Sequence, residues 1–268
     1  MKNLHPLPKK KLGQNFLKAS YYAERMAGAV PSPGKGSVLE IGPGLGALSI
    51  YLKKRFPGFH LIEMDEDIIP ILQEKLGDGQ WQLHVGNVLE FDLQSIDAPL
   101  HIVGSLPYNR ASHIIKKSLF SAPHVSSITF MVQREVAERI VSGPHTKKIG
   151  FISIFCQFFG EPHILFHVPG GAFFPKPKVE SSVFHLKVIP DLEHQLPKNR
   201  WEDFFALVSR GFSMRRKMLI NALSLKQDNR DMYTDAFITT GLELNTRAEN
   251  LDVQQWLKLY RHLEGLAT

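Results

Sequence analysis

The chain contains one glycine-rich stretch at residues 38–49, which reads Val38-Leu-Glu-Ile-Gly42-Pro-Gly44-Leu-Gly46-Ala-Leu-Ser49. Apolar residues lead into the first glycine, and a pattern of helical period follows the last one. This order predicts a strand, a tight turn and a helix that begins near Gly46. Glycines permit a positive φ in such a turn and let a ligand approach the backbone, while the N-terminus of the helix presents free N–H groups to it.

Two classes of ligand fit this turn. The spacing of Gly42, Gly44 and Ala47 matches a dinucleotide fingerprint. An acid inside the strand end, Glu40, followed by alternating glycines is more typical of an S-adenosylmethionine site. A single glycine turn does not distinguish these two ligands from a turn without a ligand, so the choice depends on the rest of the chain.

Strands and helices alternate after this turn. We predict strands at 37–41, 59–63, 81–85, 100–104 and 126–132, and helices at 46–55, 66–76 and 133–140. Such alternation specifies a parallel sheet covered on both faces, with ligands at the carboxyl ends of the strands. A helix at 20–30, with Ser20 as its N-cap, precedes the first strand.

The second half of the chain is less regular. It combines a helix at 150–159 with strands at 164–168 and 182–189, and a linker at 190–197 follows. Beyond the linker the apolar residues recur with helical period. The sequence therefore predicts helices at 201–212, 214–225, 231–239 and 253–263.

The composition is typical of a globular protein, with 43% hydrophobic and 22% charged residues in a chain of 268. No apolar run is long enough for a membrane span, and no signal peptide opens the chain. The single cysteine, Cys156, excludes an internal disulfide and a multi-cysteine zinc site, and the twelve histidines show no metal-ligand spacing. We therefore expect a cytoplasmic protein without a metal, in which Cys156 is a buried, unreactive thiol.

The net charge of +6 is unevenly distributed. Residues 1–55 contain ten Lys and Arg against two acids, and residues 204–227 contain five basic residues and no acid. Concentrated basic surface suggests a polyanionic partner, most simply nucleic acid, although a solvated charged face would have the same composition. The candidate RNA contacts are Lys9, Lys10, Lys11, Arg210, Arg215, Arg216 and Lys217.

Polar residues follow the predicted strands at the edge where ligands bind. Glu63 ends the second strand, where an acid in a nucleoside site accepts hydrogen bonds from both ribose hydroxyls, and an exposed loop acid is the alternative. Asn87 follows the third strand and offers an acceptor and a donor to an adenine, although an ordinary turn residue would look the same.

The segment Ser105-Leu-Pro-Tyr108 follows the fourth strand and indicates the chemistry. The exocyclic amine of a purine is a poor nucleophile because its lone pair is delocalised into the ring. Accepting hydrogen bonds from both N–H groups lets that lone pair turn toward an electrophile, which requires a side-chain acceptor beside rigid backbone carbonyls. Ser105, a turn fixed by Pro107 and the aromatic face of Tyr108 supply these parts, unless the tyrosine and the proline are only structural.

The chain resembles the ribosomal RNA adenine dimethyltransferases, and among them the small-subunit (16S-type) enzymes more than the large-subunit enzymes. The resemblance extends over about residues 9–251. The motifs that carry it occur in the family's order: Gly13-Gln-Asn-Phe-Leu17, Glu40-Ile-Gly-Pro-Gly-Leu-Gly46, Ile62-Glu-Met-Asp65, Gly86-Asn-Val-Leu89, Ser105-Leu-Pro-Tyr108, Met131-Val-Gln-Arg-Glu-Val-Ala-Glu-Arg139, Phe174-Pro-Lys-Pro-Lys-Val-Glu-Ser181, Arg215-Arg-Lys217 and Arg247-Ala-Glu-Asn-Leu251.

The resemblance implies an α/β fold: a seven-stranded, Rossmann-like class I S-adenosylmethionine-dependent methyltransferase domain at 1–190. A small all-α C-terminal domain at 191–268 would contact RNA. The residues that would hold the cofactor are Gln14, Asn15, Leu17, Glu40, Gly42, Gly44, Glu63, Asn87 and Ser105. Those that would hold the target adenine are Ser105, Leu106, Pro107, Tyr108 and, from the other side, Phe174.

Two positions depart from the family's pattern. The family usually has Asp where this chain has Asn87, and Asn where it has Ser105. The implied activity is dimethylation of adenosine N6 in small-subunit rRNA during ribosome biogenesis, by a monomer that binds the immature subunit. The alternatives are an RNA-binding assembly factor whose active site Ser105 weakens, a large-subunit rRNA methyltransferase and a nicotinamide-dependent oxidoreductase.

Overall fold

The computed structural model describes residues 8–224 and 230–267, and its main feature is a seven-stranded sheet. The strands are, in chain order, β1 (Phe16–Leu17), β2 (Ser37–Ile41), β3 (Gly58–Glu63), β4 (Gln80–Val85), β5 (Leu100–Ser105), β6 (Val125–Gln133), β7 (Gly160–Val168), β8 (Phe173–Phe174) and β9 (Ser181–Val188). The sheet order is β4-β3-β2-β5-β6-β9-β7; the first five run parallel, and β9 is antiparallel to β6. The short strands β1 and β8 form a separate antiparallel pair. This topology confirms the predicted α/β fold class.

The helices connect these strands and continue after them. In the described residues they are α1 (Ser20–Ala29), α2 (Ser49–Arg55), α3 (Ile69–Leu76), α4 (Ala111–Phe120), α5 (Arg134–Ile140), α6 (Phe151–Phe159), α7 (Leu192–Gln195), α8 (Trp201–Phe212), α9 (Leu219–Ser224), α10 (Arg230–Thr240) and α11 (Val253–Ala267). None of the helices in this part of the chain is long and apolar enough to cross a membrane.

Several helices differ from their predicted bounds, whereas β2 has the bounds that the sequence predicts. Helix α2 begins at Ser49 rather than near Gly46, because the three glycines of the preceding turn have φ values of 66°, 53° and 71° and postpone the helical conformation. The N-cap of α1 is Ala19, which makes no side-chain cap, so the prediction of Ser20 as the N-cap is wrong. Helix α4 was not predicted. Helix α9 begins five residues later than predicted, and residue 225 lies outside the described residues.

The central strands are apolar because both of their faces are buried. In β2, Val38 and Leu39 point to opposite faces and are both fully buried. The adjacent strand β5 contains Gly104, whose position tolerates no side chain, since a Cβ there would lie 2.5 Å from the carbonyl oxygen of Ile41. This close approach aligns the carboxyl ends of β2 and β5, from which the polar residues emerge.

The chain forms two compact units. The first comprises the chain up to Ala137 together with Glu161–Ile189, and the second comprises Glu138–Gly160 together with the chain from Pro190. The predicted ranges 1–190 and 191–268 differ from these units in residues 138–160 and at Pro190. That segment groups with the C-terminal helices because α6 packs its aromatic side chains on α8, with ring centroids 4.6 Å apart for Phe155 and Phe205. Cys156 on the same helix is fully buried, which confirms its prediction as a buried thiol.

Candidate active site

An open cavity lies at the carboxyl ends of β2, β3, β4 and β5, within the first unit, and its empty space is about 1150 Å³ with the solvent at its mouth included. Its walls come from the glycine turn, the ends of the neighbouring strands and the segment that contains β1. Among its lining residues are Gln14, Asn15, Leu17, Glu40, Gly42, Gly44, Glu63, Asn87, Ser105, Leu106, Pro107 and Tyr108. The fold therefore brings together the positions that the sequence singles out at the edge of the sheet.

The glycine turn has two features that favour glycine. Gly42 and Gly44 both have a positive φ, which side chains disfavour. A Cβ on Gly44 would also approach the ring of Phe16 to 3.3 Å. The turn therefore stays in contact with the β1 segment, which forms part of the wall of the cavity.

Glu63 holds the glycine turn as well as the end of its own strand. Its Oε2 accepts from the N–H of Gly44 (3.1 Å), and its Oε1 accepts from the N–H groups of Met64 (2.8 Å) and Asp65 (2.9 Å). The side chain is only 6% exposed, so the alternative of an exposed loop acid is wrong. Burial raises the pKa of the Glu63 carboxyl, while the three backbone N–H groups counteract that shift. Oε2 retains capacity for a further donor.

Glu40 carries a buried acceptor atom, Oε2, without a donor in the described part of the chain. The residue is 2% exposed, and among the described residues no donor reaches its Oε2. Burial raises the pKa of the Glu40 carboxyl to about 8; the nearby Ser49 hydroxyl counteracts that shift, and the neighbouring Glu63 carboxylate acts in the same direction as burial. Buried polar atoms are normally hydrogen-bonded, so an unpaired carboxylate oxygen beside an open cavity is suited to a ligand that carries a donor or a positive charge.

These residues fit S-adenosylmethionine. The molecule carries an ammonium group, a ribose with two hydroxyls and an adenine. Glu40 offers an unpaired buried oxygen for the ammonium, and Glu63 has spare acceptor capacity for the ribose. The backbone of the glycine turn is open at Gly42, where a Cβ would meet nothing within 4 Å.

Asn87 lines the cavity, but its amide is engaged in a turn. Its Oδ1 accepts from the N–H of Leu89 (3.1 Å), and its Nδ2 donates to the carboxylate of Glu90 (2.8 Å). The oxygen has one further lone pair for an amine. Contact between Asn87 and the adenine of the cofactor therefore stays a prediction.

The loop after β5 is fixed by the neighbouring backbone. The N–H of Leu106 donates to the carbonyl of Met131 (3.0 Å), and the carbonyl of Pro107 accepts from the N–H of Arg110 (3.0 Å). By contrast, no donor in the described part of the chain reaches the Ser105 hydroxyl or the Leu106 carbonyl. The Leu106 carbonyl is therefore a better candidate acceptor for an amine than the Pro107 carbonyl, which already accepts a hydrogen bond.

Tyr108 is oriented by a residue that is distant in the sequence. Its hydroxyl forms a hydrogen bond of 2.8 Å with the Oγ of Ser181, which is fully buried at the start of β9. Burial raises the pKa of the Tyr108 phenol, and the bond to Ser181 counteracts this. The bond fixes the plane of the ring at the wall of the cavity, so Ser181 is a positioning residue that sequence reasoning missed.

A polar cluster anchors the segment before β1 to the loop after β3. Lys9 Nζ lies 2.5 Å from carboxylate oxygens of both Asp65 and Asp67, and Gln14 Nε2 donates to Asp65 (2.6 Å). The bonds to Asp65 and Asp67 raise the pKa of the Lys9 ammonium. Gln14 therefore holds its own segment in place, and Lys9 is ion-paired within the protein. The sequence did not indicate Asp65 as the anchor.

Phe174 does not line this cavity. Neighbouring residues of a strand point to opposite faces, and in β8 it is Phe173 that lines the cavity, at 3% exposed. Phe174 therefore points outward and is 57% exposed. Its predicted stacking on the target base stays a prediction.

The other predicted RNA contacts belong to the second unit or to the chain before β1. In the second unit, Arg215 donates to the backbone carbonyls of Lys147 (2.9 Å) and Ile149 (2.7 Å), and Arg210 donates to the hydroxyl of Tyr233 (3.3 Å). Both arginines thus have a structural role. Lys11, Arg216 and Lys217 are exposed, as are Lys9 and Arg215 despite the contacts described above. The side chain of Lys10 lies outside the described residues.

Metal ligands are not grouped in the described ranges. No set of three or more His, Cys, Asp or Glu within 8–224 and 230–267 is arranged to hold a metal ion.

Comparisons with known proteins find relatives over nearly the whole chain. The family model described as ribosomal RNA adenine dimethylase matches residues 7–264. Proteins named ribosomal RNA small subunit methyltransferase A are similar over nearly the whole chain. That of Thiobacillus denitrificans is 37% identical, covering 96% of this chain and 98% of the relative. That of Cupriavidus taiwanensis is 38% identical (99% and 98%), and that of Xanthomonas campestris pv. campestris is 39% identical (94% and 94%).

Two solved structures share the fold. A dimethyladenosine transferase from Plasmodium falciparum superposes with a TM-score of 0.79 at 20% identity, over 94% of this chain and 98% of the other. The 23S rRNA methyltransferase ErmE gives a TM-score of 0.70 at 24% identity, over 93% and 100%. The likeness to these two structures shows the fold, and the full-length sequence matches show the relationship. The chain belongs to the ribosomal RNA adenine dimethylase family of S-adenosylmethionine-dependent methyltransferases.

Proposed function

We propose that this rRNA adenine dimethyltransferase modifies adenosine N6 in the small ribosomal subunit during ribosome biogenesis. The observation that carries the proposal is 37–39% identity, over nearly the whole chain, to relatives named for the small subunit. The likeness to ErmE, a 23S rRNA enzyme, supports the fold only. A nicotinamide-dependent oxidoreductase is excluded by the family.

The cavity suits direct methyl transfer. S-adenosylmethionine, when bound, supplies an electrophilic methyl group on sulfur. Glu40 would face its ammonium, Glu63 its ribose and Asn87 its adenine, while Gln14, Asn15 and Leu17 would cover it. Glu40 and Glu63 have the acceptor capacity that these contacts require.

The target adenine must leave its stack, because its N6 is otherwise inaccessible inside the RNA structure. Tyr108 would then stack on the base, with Phe174 on the other side. Ser105 Oγ and the Leu106 carbonyl would accept the two N6 hydrogens and direct the lone pair at the methyl group. This catalysis rests on positioning, and the amine proton passes to solvent without a strong base.

The remaining parts of the proposal concern the partner and the compartment. The exposed cations Lys11, Arg216 and Lys217 would meet phosphates of the immature subunit. The protein would act as a monomer in the cytoplasm, where its ribosomal substrate is assembled. Light scattering of the free protein and of its complex with the subunit measures the stoichiometry.

The test is transfer of labelled methyl groups to immature small subunits, with large subunits as the control. We expect label only in the small subunit, in N6,N6-dimethyladenosine. An assembly factor with a weakened site would bind the subunit without labelling it, and a large-subunit enzyme would label the control instead. Either outcome would replace the proposed function.

A further inference from the structure

Two aromatic rings of the first unit are exposed to an unusual degree. Tyr21 is 60% exposed and Phe174 is 57% exposed, whereas every other Phe, Tyr and Trp side chain in the described ranges is at least partly buried. Single exposed apolar residues are common and need no explanation. These two rings differ from such cases because they lie on elements that are joined to each other.

The two rings lie on elements that the backbone joins. Phe174 of β8 pairs with Phe16 of β1, and the chain continues from β1 into α1, which carries Tyr21 in its first turn. At the junction, the N–H groups of Lys18 and Ala19 both donate to the carbonyl of Ala172 (2.8 and 3.3 Å). The rings are therefore attached to one rigid junction beside the cavity that β1 helps to form.

Exposed cations accompany both rings. Lys18 precedes Tyr21, and Lys176 and Lys178 follow Phe174. Arg25 lies one turn after Tyr21, with its guanidinium carbon 5.5 Å from the Tyr21 ring centroid and 4.0 Å from that of Phe166. Two acids are near in sequence, Glu24 and Glu180, and Glu180 is paired with Arg134 at 2.7 Å. We call the set Lys18, Tyr21, Arg25, Phe174, Lys176 and Lys178 the aromatic–basic strip.

We propose that the aromatic–basic strip binds the unpaired rRNA segment around the target adenosine, with Tyr21 stacking on a base that flanks the target base held by Phe174. Exposed rings that alternate with cations suit single-stranded RNA, because bases stack on the rings and phosphates meet the cations. A duplex offers no free base faces. An apolar protein partner would not call for cations beside each ring. The inference rests on the proposed function for the identity of the RNA.

The first arm of the test measures binding by fluorescence anisotropy, with a labelled single-stranded oligoadenylate of about twelve nucleotides. The variants are Tyr21→Ala and Tyr21→Phe, and the matched control is Ile238→Ala, which removes an exposed apolar side chain from the second unit. Loss of one stacking platform should weaken binding of Tyr21→Ala by about fivefold or more, whereas Tyr21→Phe keeps the ring and should bind within about twofold of the wild type.

The second arm measures charge. Lys18→Gln combined with Lys178→Gln should lower the slope of log K against log salt by about 0.7 for each phosphate that the variant no longer neutralises. Lys35→Gln, an exposed lysine outside the strip, should leave the slope unchanged. In all variants the melting temperature and the affinity for S-adenosylmethionine should match the wild type, because none of these side chains lines the cavity.

Each outcome has a defined meaning. Three results would overturn the strip as a stacking surface. Tyr21→Ala could bind the oligoadenylate as tightly as the wild type, Ile238→Ala could weaken that binding equally, or Tyr21→Ala could weaken binding of a duplex of the same length by the same factor. Should the wild-type protein fail to methylate small subunits while Tyr21→Ala still weakens oligoadenylate binding, the proposed function would fail and the strip would stand. Normal methylation of small subunits by the wild type, together with unchanged oligoadenylate binding by Tyr21→Ala, would leave the proposed function standing and overturn the strip.

Discussion

The Glu63 carboxylate has two roles that a pair of substitutions can separate. It accepts three backbone hydrogen bonds within the fold, and in the proposed site it also accepts from the cofactor ribose. Glu63→Gln keeps one amide oxygen, which still accepts from the N–H groups of Met64 and Asp65. In this variant the amide NH₂ group of the glutamine faces the N–H of Gly44, so that two donors oppose each other. Glu63→Ala removes the acceptor from all three N–H groups.

The geometry sets the expected magnitudes. A hydrogen bond to a charged acceptor contributes ~1.5–3 kcal/mol, so losing the ribose bond should weaken S-adenosylmethionine binding by Glu63→Gln about 10- to 150-fold. Glu63 is almost completely buried, so water does not replace the missing acceptor in Glu63→Ala. That variant should therefore lose at least ~2 kcal/mol of unfolding free energy in addition to cofactor affinity.

Calorimetric titration measures the affinity, and denaturant unfolding measures the stability of the same samples. The matched control is Glu66→Gln, an exposed acid three residues later that does not line the cavity; it should behave as the wild type in both assays. Wild-type cofactor affinity in a folded Glu63→Gln protein would refute the ribose contact. Glu63 would then be a structural residue only.

Three further predictions follow from the same cavity. Because Glu40 has a pKa of about 8, it is mostly protonated at neutral pH, and binding of the cationic ammonium of S-adenosylmethionine should favour its ionised form. Cofactor binding should therefore release close to one proton and strengthen as the pH rises from about 6 to 8. Calorimetry in two buffers of different ionisation enthalpy should find neither effect in Glu40→Gln, and equal proton release by that variant would contradict the contact. Ser105→Ala should slow single-turnover methyl transfer about 30- to 150-fold and raise the ratio of mono- to dimethyladenosine, through loss of one acceptor of ~2–3 kcal/mol, and an unchanged rate and ratio would eliminate the hydroxyl as an acceptor. Ser181→Ala should reduce kcat in the wild type, whereas in a Tyr108→Phe background it should have little further effect because the bond is already absent; additive losses would mean that Ser181 acts otherwise.

The sheet and its ligand edge could be predicted from the sequence because they depend on local patterns. Three of the five residues of strand β2 are apolar, and the glycines that follow the strand have few alternatives to a turn. The strand ends then fixed which polar residues would meet, since parallel strands bring their carboxyl ends to one edge. Helix α4 was missed even though Ala111, Ile115 and Leu119 recur at intervals of four residues and are buried.

The supporting contacts of the site could not be predicted in this way. Tyr108 meets Ser181 across 73 positions of the chain, and Gln14 meets Asp65 across 51. Such pairs depend on tertiary packing, and a single sequence carries no local sign of them. The orientation of the Phe174 side chain is a related case. The sequence contains two adjacent phenylalanines, Phe173 and Phe174, and only the register of β8 with β1 determines which of them is buried.

The central claim is N6,N6-dimethylation of small-subunit rRNA, and the measurement that tests it most directly is mass spectrometry of rRNA nucleosides. Small and large subunits would be purified from cells with the protein, without it, and with a reintroduced Tyr108→Ala variant. We expect dimethyladenosine in small-subunit rRNA only when the intact protein is present, with large-subunit rRNA unchanged. Equal amounts of dimethyladenosine in small-subunit rRNA with and without the protein, or a loss confined to large-subunit rRNA, would contradict the claim.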